Sequence, residues 1–346
     1  MLNYAIIGFG GLGKTHFGNY TDLCVSAGGV KLVAICDVDE KQFTTKTDTN
    51  LGADTTDLNL TGYNLYTDAK EMFEKEQLDF VITAVPTYLH EKIAVMAMER
   101  GIHVLSEKPM AINLEQAENM IKVAKENNVL LMIGQCVRYF KAYSALKEMI
   151  DSKRFGKVIK ADFSRVSGTP IWGWENWYMD EEKSGGAALD LHIHDVDFIN
   201  YAFGMPDSVS SVATHYKTKF DSIESVYYYG DTIVTAKGEW GFPATSYPFE
   251  AKFTVRFETA TVEYKNDKLM LYEENGPCEK GKPGRELELR PGNGYLDEEI
   301  DFVTCIKGLK GQKESAVNPA SSSILSLKLA LAEKESALTG KRVFLK

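Results

Sequence analysis

The feature that most constrains this chain is its start, where Tyr4-Ala5-Ile6-Ile7 runs straight into Gly8-Phe9-Gly10-Gly11-Leu12-Gly13. A short apolar strand followed by G-x-G-x-x-G is a strand–turn–helix unit that opens a dinucleotide-binding fold. The first glycine permits the tight turn. The second lets a pyrophosphate approach the backbone, and the third lets the helix pack on the strand. The N–H groups at the helix start then receive the phosphates. Glycine turns after strands are common, so the motif needs a second strand that ends in an acid. Lys31-Leu32-Val33-Ala34-Ile35-Cys36-Asp37 supplies one. Asp37 lies 29 positions after Gly8, later than the usual spacing of about 20, so the intervening helix and the loop with Ala27-Gly28-Gly29 must be extended. The plain alternative for Asp37 is a turn-starting carboxylate. The glycines upstream and the strand before it favour a ribose ligand.

Strands and helices then alternate as a parallel sheet requires. Strands are expected at 64–67, 79–84, 102–106 and 129–133, and helices at 69–75, 89–100 and 114–127. Residues 44–64, rich in Thr, Asp and Asn, read as a polar surface excursion. This is the pattern of a doubly wound α/β Rossmann sheet, whose ligands sit beyond the carboxyl ends of the strands. Lys108 falls just beyond such an end, between Glu107 and Pro109. A lysine there can hydrogen-bond a substrate oxygen and stabilise charge that develops on it. Glu107 reads as a partner to Lys108 or to a ribose hydroxyl. Val85-Pro86 follows the fourth strand, and His90 either approaches a cofactor or packs a helix start.

Past Gly134 the texture changes. Residues 157–166, 208–217, 232–240, 249–257, 259–265 and 268–273 alternate in the manner of strands, with turns at Gly230-Asp231 and Asn266-Asp267. Helices are expected near 297–307 and 320–336. The chain thus divides into a dinucleotide-binding domain, 1–134, and a C-terminal α+β domain, 135–346, with a large, mostly antiparallel open sheet. That second domain is expected to bind substrate and to oligomerise.

Within it, 184–204 (SGGAALDLHIHDVDFINYAFG) carries the densest chemistry. Apolar Leu189, Ile193, Val196 and Ile199 recur at helical spacing, which places Asp190, His194, Asp197 and Tyr201 on one face. A carboxylate one turn below an imidazole can orient it as a general acid/base. The bland reading is the solvated edge of an amphipathic helix. His192 points to the opposite side, so His-x-His would make a metal site only on a strand, and no metal is expected. Trp172, Trp174, Trp177 and Tyr178 crowd the preceding loop, either as a plug between domains or as the wall of a sugar-sized pocket. Arg138 makes an acidic sugar plausible if it points into that pocket.

The formal net charge of −10 argues against nucleic acid or an anionic membrane as main partner. The chain enters its first strand directly, so no signal peptide is expected, and no apolar run approaches a membrane span. Five scattered cysteines suit free thiols in a reducing cytoplasm.

Taken together, Gly8–Gly13, Val85-Pro86 with His90, Glu107-Lys108-Pro109, and Gly185-Gly186 followed by Asp190-x-x-x-His194-x-x-Asp197 resemble one family over essentially the whole chain. That family is the glucose-fructose oxidoreductase, inositol dehydrogenase and rhizopine-catabolism (Gfo/Idh/MocA) oxidoreductases. The resemblance implies a bound NAD, reversible oxidation of a sugar or polyol hydroxyl, and catalytic positions at Lys108, Asp190 and His194. Cofactor contacts are expected from Gly8, Phe9, Gly10, Gly11, Leu12, Gly13, Asp37, Val85, Pro86, His90 and Glu107. Substrate contacts are expected from Lys108, Arg138, Trp174, Trp177, His192 and His194. His192 stands where many members carry a small residue. Two other readings are a non-catalytic NAD-binding sugar sensor and an NAD-assisted glycoside hydrolase. A helix layer would cover one face of the second sheet, and strands such as 232–240 would put apolar residues on the other. A homodimer or homotetramer is expected on that ground.

Overall fold

The computed structural model describes residues 1–45, 58–274, 284–308 and 314–345; most of the polar excursion expected at 44–64 lies outside them. Two sheets organise the chain. The first holds β1 (Leu2–Ile7), β2 (Val30–Cys36), β3 (Asn64–Tyr66), β4 (Phe80–Thr83), β5 (His103–Glu107) and β6 (Leu131–Gly134) in the order β3-β2-β1-β4-β5-β6. All its pairings are parallel. The order in which strands are added reverses between β1 and β4, and the crevice outside their carboxyl ends is where such a sheet takes its ligand.

The second sheet has nine strands: β7 (Val158–Gly168), β8 (Ser208–Thr214), β9 (Ser222–Tyr229), β10 (Thr232–Phe242), β11 (Glu250–Phe257), β12 (Ala260–Lys265), β13 (Lys268–Glu273), β14 (Arg285–Leu287) and β15 (Val343–Phe344). Their order is β14-β13-β12-β11-β7-β10-β9-β8-β15. The β7–β10 pairing is parallel and the others are antiparallel. Asn266 and Asp267 adopt φ of 51° and 59°, as a tight hairpin between β12 and β13 demands. Strand β9 has no counterpart in the sequence reading, because consecutive Tyr227, Tyr228 and Tyr229 blur its alternation.

One face of this sheet buries Ala161, Phe163, Val234, Ala236, Phe253 and Val255 under helices Lys141–Ser152, Ile193–Phe203 and Ala320–Thr339. The other face is less apolar than expected. On β10 it presents Ile233, Thr235, Lys237 and Glu239, since Val234, Ala236 and Trp240 point inward. Exposed Val212 and Tyr272 also lie on that face.

The helix Gly294–Ile306 returns to the first sheet, where Phe302 and Val303 join Tyr4, Ile6 and Phe80 in one core. Full burial of each such side chain contributes about 1.5–3 kcal/mol. That packing carries Glu298 and Glu299 to the carboxyl ends of the parallel strands, beside the site.

A candidate redox site in the cleft between the sheets

A cleft of about 640 Å³ runs from the glycine turn to the inner face of the second sheet. Its first half is the Gly8–Gly13 segment. Gly8 has φ +88°, and a Cβ there would stand 2.5 Å from the Ala84 carbonyl oxygen. A Cβ on Gly13 would stand 2.0 Å from the Gly8 carbonyl oxygen, so strand and helix touch through bare backbone. Gly10 faces open space instead, with nothing within 4 Å of a would-be Cβ, and it lines the cleft with Gly8, Gly11 and Leu12. The open side of Gly10 is where a pyrophosphate would approach the backbone.

Phe9 contributes only backbone, because its ring is fully buried against Phe17. Its N–H donates to Asp37 Oδ2 at 2.6 Å, and the Asp39 N–H donates to Asp37 Oδ1 at 2.9 Å. Asp37 lies on the cleft wall, anchored by main-chain donors and with lone pairs left for a diol. Burial pushes its carboxyl above the ordinary aspartate value, against those two hydrogen bonds. Val85 and Pro86 also line the cleft. His90 does not. It is buried, with Nδ1 at 2.7 Å from the Pro109 carbonyl and Nε2 at 2.9 Å from that of Val85, tying together the segments that follow β4 and β5.

The second half of the cleft holds Lys108, Asp190 and His194. The single helix expected over 184–204 is broken into Glu181–Ser184, Gly186–Asp190 and Ile193–Phe203. Gly185 and Gly186 take positive φ, and the His192 N–H reaches five residues back to the Ala187 carbonyl at 2.8 Å. That wider turn resets the phase, so Asp190 does not sit under His194. Lys108 Nζ instead donates to the Asp190 carbonyl at 2.7 Å and to Asp190 Oδ1 at 3.3 Å. Asp190 holds the lysine, a correction to the expected carboxylate–imidazole pair. His194 Nδ1 is buried without a partner among the described residues. Burial, then the charges of Lys108 and Arg165, holds the imidazole well below its ordinary pKa of 6.5, so at neutral pH it carries an open lone pair.

Two expected substrate contacts lie elsewhere. Arg138 is 2% exposed and does not line the cleft. Its Nε and Nη2 donate to the two oxygens of Asp197 at 2.7 and 2.6 Å, and Nη1 donates to the Val317 carbonyl at 2.8 Å. Asp197, expected on the same polar face as His194, is consumed by this internal pair. His192 is fully buried between Glu333 (3.3 Å) and the Tyr227 hydroxyl (3.4 Å). A Cβ on Gly238 would come within 2.5 Å of the His192 Cβ, so His192 packs directly against bare backbone of the sheet. The aromatic wall is present: Trp172, Trp174, Trp177 and Tyr178 line the cleft, with Trp177 stacked on Tyr178 at 4.1 Å and Tyr178 edge-on to Trp240.

Sequence reasoning passed over Arg165, His16 and Glu299. Arg165 lines the cleft while its Nε and Nη2 donate to Asp195 at 3.0 and 3.1 Å. Its signal was legible, since it shares strand parity with buried Ala161 and Phe163, and a charge on an apolar face calls for a reason. His16 and Glu299 join Glu107 in a buried cluster, and nothing local in the chain marks them. Among the described residues no group of three or more His, Cys, Asp or Glu is arranged to hold a metal.

Residues 2–135 match the family model described as oxidoreductase family, NAD-binding Rossmann fold, and residues 143–264 match the GFO/IDH/MocA C-terminal domain. The chain belongs to this family of NAD-binding oxidoreductases. It is 32% identical over 151 residues to the 2,7-anhydro-N-acetylneuraminate hydratase of Mediterraneibacter gnavus, covering 42% of this chain and 38% of that protein. It is 30% identical over 212 residues to the scyllo-inositol 2-dehydrogenase (NAD(+)) of Bacillus subtilis, covering 61% of this chain and 56% of that one. The matched stretches thus span well under two thirds of these relatives. Levoglucosan dehydrogenase, solved in complex with NADH and levoglucosan, superposes with a TM-score of 0.81 at 18% identity over 99% of both chains, a likeness of fold.

Proposed function

We propose that this protein transfers hydride between NAD and the hydroxyl or carbonyl carbon of a sugar or polyol. One observation carries the reading: Lys108 and the depressed imidazole of His194 face the same cleft that the Gly8–Gly13 turn and Asp37 open at its other end. Gly8, Gly10, Gly11, Asp37, Val85, Pro86 and Glu107 would hold the dinucleotide. When bound, NAD supplies the hydride acceptor, chemistry no side chain here can perform. The chain's own residues do the rest. Lys108, steadied by Asp190, donates to the substrate oxygen, and His194 takes its proton as the carbon gives up hydride. Trp172, Trp174 and Trp177 offer flat apolar surfaces to a sugar ring and help exclude water. The 1–134 domain would carry the cofactor and contribute Lys108, and the 135–346 domain would supply His194 and the aromatic wall of the substrate half.

The hydratase and inositol dehydrogenase relatives support a polyhydroxylated substrate, and the hydratase keeps open a reaction with no net change of cofactor, such as assisted glycoside cleavage. A sensor without turnover fits less well, since both Lys108 and His194 are in place. The deciding experiment offers inositols, aldoses, anhydrosugars and sugar acids with NAD and follows the nicotinamide absorbance alongside product analysis. Reduced cofactor accumulating with a polyol supports the dehydrogenase. Product without it favours the redox-neutral reaction, and neither leaves the sensor.

NAD is the expected cofactor over NADP, because a 2′-phosphate would meet the Asp37 carboxylate. Asp37→Ala is expected to raise KM for NAD and to shrink or reverse the NAD:NADP ratio of kcat/KM. An unchanged ratio would remove Asp37 from the ribose site.

The outer face of the second sheet, with Val212, Ile233 and Tyr272 exposed, is proposed to pair with another copy. Light scattering is expected to return a multiple of 38.6 kDa, and a monomer at all concentrations would contradict this. Free Cys24, Cys36, Cys136 and Cys305 suit a reducing cytoplasm. Among the described residues no helix is long and apolar enough to cross a membrane.

A further inference from the structure

We propose that His16 is a positioning residue of the redox site, a buried imidazolium that fixes the Glu107 carboxylate and, through it, the start of the Lys108 segment. The proposal rests on the oxidoreductase reading for its kinetic part. The helix Gly11–Gly18 carries His16 beneath the glycine turn, where it is 1% exposed. Its Nε2 lies 3.0 Å from Glu107 Oε1 and its Nδ1 lies 2.7 Å from Glu299 Oε1. A neutral imidazole has one N–H and would set its other nitrogen's lone pair against a carboxylate; only the doubly protonated ring donates to both. Burial lowers the His16 pKa, but the hydrogen bonds and charges of Glu107 and Glu299 outweigh it and raise it to about 10.

The far oxygen of Glu107 accepts the Lys108 N–H at 3.2 Å. Gly134 leaves room for it, since a Cβ there would stand 3.1 Å from Glu107 Oε2. Glu299 Oε1 also accepts from Asn19 Nδ2 at 2.8 Å, which fixes the other end. The clamp therefore joins three distant pieces of chain: the phosphate-side helix, the end of β5, and the helix Gly294–Ile306. A buried ionic cluster is weak evidence of stability, because apolar residues of similar volume serve as well or better. This one ends on the cleft wall, at Glu107, one residue before Lys108.

The charged and titratable groups around His16 are Glu107, Glu299, Glu298, Lys108 and, ring edge to ring face, Tyr295. Both Glu298 oxygens lack a partner among the described residues, and burial followed by the Glu107 charge pushes its carboxyl well up. Both influences disfavour a second anion at Glu298 beside the Glu107–His16 pair. For Glu107, burial is the largest influence and raises its pKa, while His16 leads the groups that bring it below the ordinary value. Without the imidazolium, burial is opposed only by the charge and N–H of Lys108, and the Glu107 pKa rises.

The test is His16→Gln, which keeps a donor and removes the charge. Expected is a fall in kcat of roughly 10- to 100-fold, the range that small misplacements cost, with a smaller change in the Kd for NADH by fluorescence, since the glycine turn and Asp37 hold the dinucleotide independently of Glu107. The acid limb of kcat/KM is expected to move to higher pH as Glu107 begins to titrate. In a Glu107→Gln background, His16→Gln is expected to add almost nothing to the loss of kcat. Additive losses, or a lowered Tm with kcat and pH profile untouched, would overturn the proposal and leave His16 a packing residue. Carbon-13 NMR of labelled glutamates, with Glu107 assigned from Glu107→Gln, reads the clamp without turnover. Glu107 is expected to titrate at higher pH in His16→Gln than in the native protein, and the same titration in both would sink the idea. If no sugar is turned over by the native enzyme, the reaction assignment fails, while the NMR titration still decides the clamp.

Discussion

His194→Ala is expected to lower kcat for sugar oxidation by about 10²–10⁴-fold, the usual worth of a positioned general base, with NAD affinity nearly unchanged. His194 lines the cleft beside Lys108, on the first turn of helix Ile193–Phe203. Burial, Lys108 and Arg165 together hold its pKa well below 6.5, so the ring is neutral throughout the neutral range and free to accept a proton. It becomes charged only as pH falls through that depressed value. The acid limb of kcat/KM in the native enzyme is therefore expected below pH 6.5, with a plateau above it, and this limb is lost in His194→Ala. The same sign governs stability, since charging a buried imidazole beside two cations costs free energy as pH falls. A native profile whose acid limb lies above pH 7 would show that His194 is not the base. So would a variant that retains most of its kcat.

The first sheet was legible because its signals are local. A strand, three glycines and a terminal acid occur within one short span, and the would-be Cβ clashes at Gly8 and Gly13 are the physical content of that motif. The catalytic pair was legible as residue types, but their relation was not. Helical spacing from Leu189 to Ile199 predicts one continuous helix, whereas the chain breaks at Leu191 and His192 and sends Asp190 to Lys108. Periodicity counts residues per turn and cannot register a turn widened by one residue. Arg138 and His192 misled for a different reason. Each is a charged or polar group near the motifs, and each finds a buried counter-group far away in sequence: Asp197 for one, Glu333 for the other. Long-range pairing of that kind is set by tertiary packing, as is the meeting of His16 with Glu299. No window of the chain holds both partners.

Lys108→Met is expected to cost about 10²–10³-fold in kcat, the range for removing one donor aimed at developing charge, with a smaller change in substrate KM. Met keeps the volume of the stem, so the loss isolates the ammonium. In the native protein Nζ is held by the Asp190 carbonyl at 2.7 Å and its carboxylate at 3.3 Å, and little rotamer freedom remains to be frozen when substrate binds. The charge matters most as the oxygen becomes alkoxide-like, so its removal falls on the transition state more than on the ground state. A second signature separates this from general damage. After burial, Lys108 is the leading cause of the low His194 pKa, so Lys108→Met should raise that pKa and move the acid limb of kcat/KM to higher pH. Asp190→Asn is expected to give a milder loss through looser placement of the lysine. If Lys108→Met left the acid limb where it was while kcat fell, the two groups would not share one site, and the mechanism would have to place His194 elsewhere.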